Sequence, residues 1–240
     1  MKIKTGQERS ELGGRILAIG DEKMGKTYKL QELSAIWKLK NKDNGYFEIY
    51  IDTNNDTTRY SYYDSYTRIK SLEEINIKPD NAYILDLGEG GTLANFLNGN
   101  LNHAMILRQA LLIIERVHTR YPKMAKILFV NEIQYFFPNV QYTGKDIDTL
   151  VRLYALTSIH HIGCMLFANT QDLRNTSKQL VARSDSVLAF SCNEPNALNA
   201  LQEIATDISS GVVSKDVLRL QKLKQREFIM LKGNLDKFKM

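Results

Sequence analysis

The sequence predicts an α/β fold in which a mostly parallel central sheet is flanked by helices. Short apolar runs recur along the chain, each bounded by glycine or polar residues, and such runs are typical of buried strands. Segments with apolar residues at helical spacing separate the runs, and this alternation predicts a parallel sheet covered on both faces. The chain has 240 residues, 43% of them hydrophobic and 25% charged. This length and composition are sufficient for one globular domain with a complete core.

The first predicted elements are a strand, a helix and a second strand. RILAIG at 15–20 is apolar and ends at glycine, as buried strands often do. Residues 26–42 carry leucine, isoleucine and tryptophan at near-helical spacing, which predicts a helix. YFEIYIDT at 46–53 is rich in strand-forming residues. We expect the polar residues 1–14 to form a loose arm and residues 15–240 to form a single domain.

The rest of the chain repeats this alternation. Further strands are predicted at 82–86, 126–132, 164–170, 186–192 and 227–233. Further helices are predicted at 92–120 with an interruption near 98–100, at 146–161, in the polar stretch after 171, and at 195–206. The alternation of apolar strands with helices along the chain supports the α/β prediction.

The composition indicates in which compartment the protein is located. No segment has the roughly 18 consecutive apolar residues that a membrane span needs, and the N-terminus has no apolar signal region. We therefore expect a cytoplasmic protein. Cys164 and Cys192 are too few for a disulfide framework and lack metal-ligand spacing, so we expect small buried thiols. The net charge of +5 is compatible with a polyanionic partner without establishing one.

The stretch GDEKMGKT at 20–27 has the spacing of a phosphate-binding loop, or P-loop. In such a loop the backbone amides cradle phosphates, the lysine reaches the β- and γ-phosphates, and the threonine hydroxyl holds Mg²⁺. A chance match in an ordinary strand–turn–helix is the alternative, but the motif stands between a predicted strand and a predicted helix, as a P-loop requires. We expect ATP and Mg²⁺ as cofactors. The predicted nucleotide-binding residues are Gly20, Asp21, Glu22, Lys23, Met24, Gly25, Lys26, Thr27 and Tyr28.

Glu132 is the candidate for activating the attacking water. Hydrolysis needs a carboxylate near Mg²⁺ and a group that positions water, and both ILFVNE and YILDLGE end in acids. In P-loop NTPases of the additional-strand, RecA-like type, a strand ending in polar residues lies beside the P-loop strand. MLFANTQ supplies such a strand one helix after Glu132, with Gln171 as the expected γ-phosphate sensor. Asp86 comes too early for this order. Asn131 replaces the usual aspartate and would hold Mg²⁺ through a bound water.

Together these segments resemble the FtsK–HerA superfamily of P-loop motor ATPases. The likeness covers residues 15–232 and includes GDEKMGKT, IYIDTNND, ILFVNE, and HHIGCMLFANTQDLRN followed by RSDSVLAF. Lys23 inside the loop, Asn131 in place of aspartate, and the lack of the extra domains of the large cellular pumps depart from the superfamily pattern. A bare motor domain of this size is similar to the genome-packaging ATPases of tailless viruses with an internal membrane.

That resemblance implies a homo-oligomeric ring, a pentamer or a hexamer, that moves double-stranded DNA into a preformed capsid. It implies ATP bound between subunits and an arginine supplied in trans, with Arg152 and Arg183 as candidates; for each, a surface or salt-bridged arginine is the alternative. A capsid protein or viral membrane protein would be a further partner. The resemblance then implies a location in the host cytoplasm, and it also allows association with the virion.

Two stretches could contact DNA. RYSYYDSYTRIK at 59–70 interleaves aromatic and basic residues that could stack on bases or line a channel; they are Arg59, Tyr60, Tyr62, Tyr63, Tyr66, Arg68 and Lys70. A surface β-hairpin explains the same stretch, because tyrosine is a good strand former. RLQKLKQR at 219–226 is a second basic run, and a solvated helix face explains it equally.

The sequence therefore predicts an ATP-hydrolysing translocase of double-stranded DNA that packages a viral genome. A plasmid or conjugation-type DNA pump of the same superfamily is one alternative. The other is a nucleotide-binding switch or recruitment module with weak hydrolysis, which Asn131 and Lys23 motivate.

Overall fold

The computed structural model describes residues 11–53, 61–87, 103–140, 142, 145–193, 198–199, 201 and 219–239. In these residues the strands are β1 (Gly14–Ile19), β2 (Tyr46–Asp52), β3 (Thr67–Ile69), β4 (Asn81–Asp86), β5 (Ala125–Val130), β6 (Cys164–Thr170), β7 (Ser186–Phe190) and β8 (Phe228–Lys232). The helices are α1 (Lys26–Lys40), α2 (His103–Arg120), α3 (Ile147–Ser158) and α4 (Lys178–Arg183).

The strands form one mostly parallel sheet, in the order β3-β4-β2-β5-β6-β1-β7-β8. Only β8 runs antiparallel to its neighbour among the strands described. This confirms the α/β fold that the alternating pattern predicts. The strand β6 lies directly beside the P-loop strand β1, with Ile19 opposite Thr170, and β5 follows on its other side.

Both faces of the sheet are covered, which explains why the central strands are apolar throughout. Every residue of β1, β5 and β6 is buried. On one face α1 packs Leu30, Leu33 and Trp37 into a core that includes Phe129 and Phe167 of the sheet. On the other face α2 and α3 contribute a second, larger core. A parallel sheet buried on both sides is expected to lack the alternation of apolar and polar residues seen in half-exposed strands.

Several predicted segments fall outside the described residues. They include 1–10 of the arm, 92–102 of the second helix, most of 195–206, and Arg59 with Tyr60. The helix α2 is described from His103. Within the described ranges, no helix is both long enough and apolar enough to cross a bilayer. Cys164 and Cys192 are buried, as predicted.

The described part of the tyrosine-rich stretch differs from the predicted hairpin, and two of its rings are buried. Tyr63 lies in a single 3-10 turn at Ser61–Tyr63, and β3 pairs in parallel with β4 rather than forming a hairpin. The side chains of Tyr63 and Tyr66 are 2% and 8% exposed, so stacking of these two rings on DNA bases was a wrong prediction. Arg68 and Lys70 are exposed at this edge of the sheet.

A buried ion pair explains why the stretch folds inward. The Lys38 ammonium donates to Glu48 Oε2 at 2.7 Å and to the Tyr66 hydroxyl at 2.8 Å, and Tyr66 in turn donates to Glu48 Oε2 at 2.7 Å. Burial opposes the charge of Lys38, but the Glu48 carboxylate outweighs it and raises the Lys38 pKa. Burial and the same carboxylate raise the Tyr66 pKa. Removing one member would leave a buried charge without its partner, which is strongly destabilising.

Candidate functional site

The P-loop leaves the carboxyl end of β1 at Gly20. Its φ of 147° lies in a region that favours glycine, and a Cβ there would sit 2.8 Å from Phe190 Cβ and 2.9 Å from the Ser191 carbonyl oxygen. The loop ends at Gly25, which precedes α1 with φ 95° in the left-handed region. The two glycines are therefore required by the curl of the backbone, which directs loop amides and the start of α1 to one side.

The side chains at the start of α1 lie at the centre of the loop. Lys26 is buried, and its ammonium donates to the carbonyl oxygens of Gly20 and Asp21 at 2.7 Å each. The Thr27 hydroxyl accepts a hydrogen bond of 3.1 Å from Asn169 Nδ2 at the end of β6. The strand predicted to carry polar residues near the γ-phosphate thus contacts the residue predicted to hold Mg²⁺.

Glu132 follows β5 in a backbone conformation that is uncommon for residues other than glycine, with φ 52° and ψ 63°. Its amide donates to Asn169 Oδ1 at 3.0 Å, and its side chain is 4% exposed. Gln171 Nε2 donates to Glu132 Oε1 at 2.8 Å, and the Gln171 amide lies 3.4 Å from Oε2. The two residues that the sequence places on separate strands are therefore in direct contact.

Gln134 completes this network and was missed from the sequence. Its Nε2 donates to Glu132 Oε2 at 2.8 Å, while its Oε1 accepts from the Thr170 hydroxyl at 2.8 Å. Each carboxylate oxygen of Glu132 thus has its own side-chain amide donor, and the Thr170 hydroxyl orients one of these donors, the Gln134 amide. The spacing Glu-x-Gln after a strand is the only signal in the sequence, and it is too short to be specific.

These groups line one cleft of about 290 Å³ at the carboxyl edge of the sheet. Its wall consists of Glu22, Lys23, Gly25, Lys26, Thr27 and Tyr28 of the loop and α1, of Asn131, Glu132, Asn169 and Gln171, and of Gln225 and Arg226. Parallel α/β sheets bind ligands at this edge.

Three of the predicted loop residues have other contacts. Gly20 shapes the exit from β1, as described above. The Asp21 carboxylate accepts from the backbone amide and the side-chain amide of Asn193 at 2.9 and 3.1 Å. Met24 packs against the core beneath α1. Their contribution to nucleotide binding stays a prediction about backbone amides rather than side chains.

Asn131 is 1% exposed, and its backbone amide donates to the Ile51 carbonyl oxygen at 3.1 Å. It lines the cleft beside Glu132, so its predicted role near Mg²⁺ stays open as a prediction. The side chain of Asp86, the alternative carboxylate, lies outside the described residues.

Neither of the two candidate arginines is among the residues that line the cleft of their own chain. Arg152 is in α3, and its Nε donates to the Phe136 carbonyl oxygen at 2.7 Å. Arg183 is exposed at the last residue of α4. It precedes the amino end of β7 and is therefore near the edge of the sheet opposite to the P-loop. The predicted role in trans stays a prediction for both.

Gln225 and Arg226 reach the P-loop from the other end of the chain. The Arg226 amide donates to the Met24 carbonyl oxygen at 2.8 Å, and Gln225 Nε2 donates to the Lys23 carbonyl oxygen at 3.0 Å. The sequence shows this stretch only as a basic run, without a pattern that indicates contact with the loop.

Comparisons with known proteins support the fold. No protein-family model matches the chain, and no curated protein matches its sequence. Among solved structures, the genome packaging NTPase B204 of Sulfolobus turreted icosahedral virus 2, in complex with AMP, is 20% identical, with a TM-score of 0.62 and 92% of each chain covered. B204 of Sulfolobus turreted icosahedral virus, described as a DNA-packaging ATPase, is 17% identical with a TM-score of 0.59, covering 92% of this chain and 98% of that one. VirB4 of Thermoanaerobacter pseudethanolicus is 10% identical with a TM-score of 0.60, covering 97% of this chain and 91% of that one.

The fold is that of an α/β P-loop NTPase. Its structural neighbours include a viral genome-packaging NTPase and VirB4, which confirms at the level of the fold the resemblance that the sequence motifs indicate.

Proposed function

We propose that this chain hydrolyses ATP to move double-stranded DNA, as one subunit of a homo-oligomeric ring that packages a viral genome. The main observation in favour of hydrolysis is that Lys26, Thr27, Glu132 and Gln171 line one cleft. A lysine and a hydroxyl for the phosphates, a carboxylate for water, and an amide between them are the parts that phosphoryl transfer requires.

The side chains divide the chemistry as follows. The loop amides and the Lys26 ammonium hold the phosphates. The donor set fits Mg²⁺, which prefers oxygen ligands and keeps several waters, because Thr27 and Asn131, whose side chains carry oxygen atoms, line the same cleft as Lys26. When bound, Mg²⁺ neutralises phosphate charge.

Glu132 orients the attacking water and accepts its proton. Its buried carboxylate is held by amide donors on both oxygens, and Oε1, which accepts only from Gln171 Nε2, retains a lone pair for a water hydrogen bond. Gln171 senses the γ-phosphate in this proposal, and its direct contact with Glu132 supports a link between that phosphate and the carboxylate. Asn131 removes one negative charge from this side of the site, and we expect slower turnover rather than loss of ATP binding.

Three observations favour DNA as the transported polymer. The structural neighbours include proteins described as packaging DNA. The net charge is +5, and Arg68 and Lys70 are exposed at the β3 edge. A translocase grips phosphates without reading sequence, so a modest positive surface is sufficient.

ATPase activity with and without double-stranded DNA at low salt tests the proposal. The wild-type protein should be stimulated by DNA, whereas Lys26→Ala and Glu132→Gln should each abolish the stimulated rate. Exposed residues of the same types, in Lys42→Ala and Glu32→Gln, are matched controls that should retain it. Full turnover in Glu132→Gln would reassign the base to Asp86, and activity indifferent to DNA would count against a motor.

Mixing of subunits tests the arginine in trans. Lys26→Ala inactivates the site that a subunit carries, whereas Arg183→Ala or Arg152→Ala would inactivate the site of its neighbour. Mixed rings of Lys26→Ala with the correct arginine variant should therefore recover part of the ATPase activity, since some interfaces combine two intact halves. Recovery with neither arginine variant would refute both candidates.

Two other functions remain as candidates. VirB4 has a TM-score close to that of B204 and is covered over nearly the same length, so a conjugation-type pump is equally compatible with the fold. Asn131 favours a nucleotide-binding switch with weak hydrolysis. Tight ATP binding combined with a low rate that DNA does not change would support the switch over the motor.

A further inference from the structure

The segment before β8 lies across the tip of the P-loop. Arg226 is bonded through its backbone amide to Met24, and its φ of 72° is uncommon for a residue other than glycine. Gly25 makes room for it, because a Cβ on Gly25 would lie 3.0 Å from Arg226 Cγ and 3.2 Å from its Cα. The unusual backbone is thus held in place by the loop itself.

The Arg226 side chain stacks on Tyr28. Its guanidinium carbon lies 4.3 Å from the centre of the Tyr28 ring, which is close enough for a cation–π interaction. Tyr28 directly follows Thr27 and is 45% exposed, and both members of the pair line the same cleft as the phosphate-binding groups. The pair therefore presents a flat, positively charged surface beside the phosphate site.

The order of strands places this pair at the end of the cleft away from the hydrolytic groups. Along the sheet the order is β5, β6, β1, β7, β8. Glu132 follows β5 and Gln171 follows β6, while Arg226 precedes β8. Because β8 is antiparallel to β7, its amino end lies at the same edge as the carboxyl ends of the other strands. The terminal phosphate must lie near Glu132, so the rest of the nucleotide extends across the loop toward Arg226.

We propose that Arg226 and Tyr28 form the subsite for the nucleoside 5′-monophosphate half of ATP. The guanidinium contacts the α-phosphate, and the stacked pair packs against the sugar and base. This inference deepens the proposed ATPase function and rests on it. The contacted half is shared by ATP, ADP and AMP, so the pair anchors nucleotide before and after hydrolysis without distinguishing the two states.

Binding measurements with ATP, ADP and inorganic tripolyphosphate test the subsite. Arg226→Ala should weaken ATP and ADP about tenfold or more, by equal factors, because it removes a charge-assisted hydrogen bond. Tripolyphosphate keeps a phosphate at the α position but lacks the sugar and base, so it should also bind more weakly to Arg226→Ala, by a smaller factor than ATP. Arg226→Lys should recover only part of the affinity, because lysine keeps the charge but not the planar stacking. Tyr28→Phe should keep nucleotide affinity, and Tyr28→Ala should reduce it.

Lys222→Ala is the matched control, since Lys222 is an exposed residue of the same basic run; it should leave all three affinities unchanged. A much larger loss for ATP than for ADP would place Arg226 at the γ-phosphate and overturn the proposal. Unchanged nucleotide affinities with reduced DNA binding would assign the run to DNA and also overturn it.

The proposed ATPase function can fail separately from this subsite. A wild-type protein that binds nucleotide without hydrolysing it would refute the ATPase while the affinities of the Arg226 variants still test the subsite. A wild-type protein that hydrolyses ATP but is unaffected by Arg226→Ala in every affinity would refute the subsite alone. A wild-type protein that binds no nucleotide would refute both.

Discussion

The contact between Gln134 and Glu132 predicts a positioning role that a single substitution can test. Gln134→Met keeps the approximate length of the side chain but removes both amide contacts. The substitution deletes the 2.8 Å donor to Glu132 Oε2 and the acceptor for the Thr170 hydroxyl. Glu132 then keeps Gln171 as its side-chain amide donor, and its carboxylate can rotate away from the position in which it orients water.

The expected size of the effect follows from the type of bond. A hydrogen bond to a charged group is worth about 1.5–3 kcal/mol, and each 1.4 kcal/mol corresponds to about a tenfold change in rate. If the whole contribution serves to hold the carboxylate for the chemical step, kcat falls about 10- to 100-fold. KM for ATP should change less than about twofold, because Gln134 is absent from the residues that line the cleft.

Steady-state ATPase kinetics with saturating Mg²⁺ measures both parameters. Gln109→Met, at an exposed glutamine of α2, is the matched control and should have wild-type kinetics. Thr170→Val removes the group that orients the Gln134 amide and should lower kcat less than Gln134→Met does. The Thr170 hydroxyl also accepts from the Asp172 amide at 3.1 Å and bonds the Thr176 hydroxyl at 3.0 Å. Any loss of kcat that Thr170→Val adds to Gln134→Met therefore measures these other contacts.

A purely structural role for Gln134 makes different predictions. If the role were purely structural, Gln134→Met would lower the melting temperature. Adding it to Glu132→Gln would also lower the rate of that variant further, as measured in single-turnover reactions with excess enzyme. A positioning residue acts only through the Glu132 carboxylate, so Gln134→Met should add nothing to Glu132→Gln. An unchanged kcat in Gln134→Met, or an additive loss in the double variant, would refute the reasoning.

Three further predictions concern the loop and the core. Gly25→Ala should cost about 1–3 kcal/mol of stability and weaken ATP binding, because φ is 95° at this residue and Arg226 Cγ would lie 3.0 Å from the new Cβ. The weaker binding should be measurable as a smaller ATP-induced rise in melting temperature, and a rise equal to that of the wild-type protein would contradict this. Burial lowers the pKa of Lys126 in the folded protein to about 8, whereas its pKa in the unfolded chain is about 10.4. Between these two pH values the unfolded chain binds more protons, so the free energy of unfolding rises as the pH rises. From pH 8 to 9.5 the wild-type protein should gain about 1 kcal/mol relative to Lys126→Met in urea unfolding, and parallel pH curves would refute the assignment. Tyr66→Phe should destabilise by about 1–3 kcal/mol through the lost bond to Glu48 while leaving DNA stimulation intact, and a selective loss of DNA stimulation would restore a DNA role for this ring.

Local patterns explain which features the sequence could predict. The P-loop is a contiguous motif between a strand and a helix, so its residues could be assigned without knowledge of the fold. The buried strands are continuous apolar runs, and the pairing of β6 with β1 follows from their order in this type of sheet. Glu132 and Gln171 could be placed at neighbouring strand ends for the same reason, although their direct contact could not be foreseen.

Contacts between distant segments explain what the sequence could not predict. Tyr66 is buried because Lys38 and Glu48, on α1 and β2, provide its partners, and no pattern within residues 59–70 indicates them. Gln134 is distinguished from other polar residues by its bonds to Glu132 and to the Thr170 hydroxyl at the end of β6, which is distant in the chain. Arg226 belongs to a basic run whose spacing resembles a solvated helix, and only the path of the chain into β8 brings it to the P-loop.

The bonds between the P-loop tip and the segment before β8 also affect the order in which the protein can mature. Lys23 and Gln225 are 202 residues apart in the chain. At synthesis rates of about 5–20 residues per second, the second partner is made about 10–40 s after the first. During that interval a nascent chain has the β1–loop–α1 unit without the residues that close over it. We therefore expect nascent chains arrested before residue 224 to bind ATP more weakly than chains that include Gln225 and Arg226, so that full affinity for nucleotide is acquired late in synthesis.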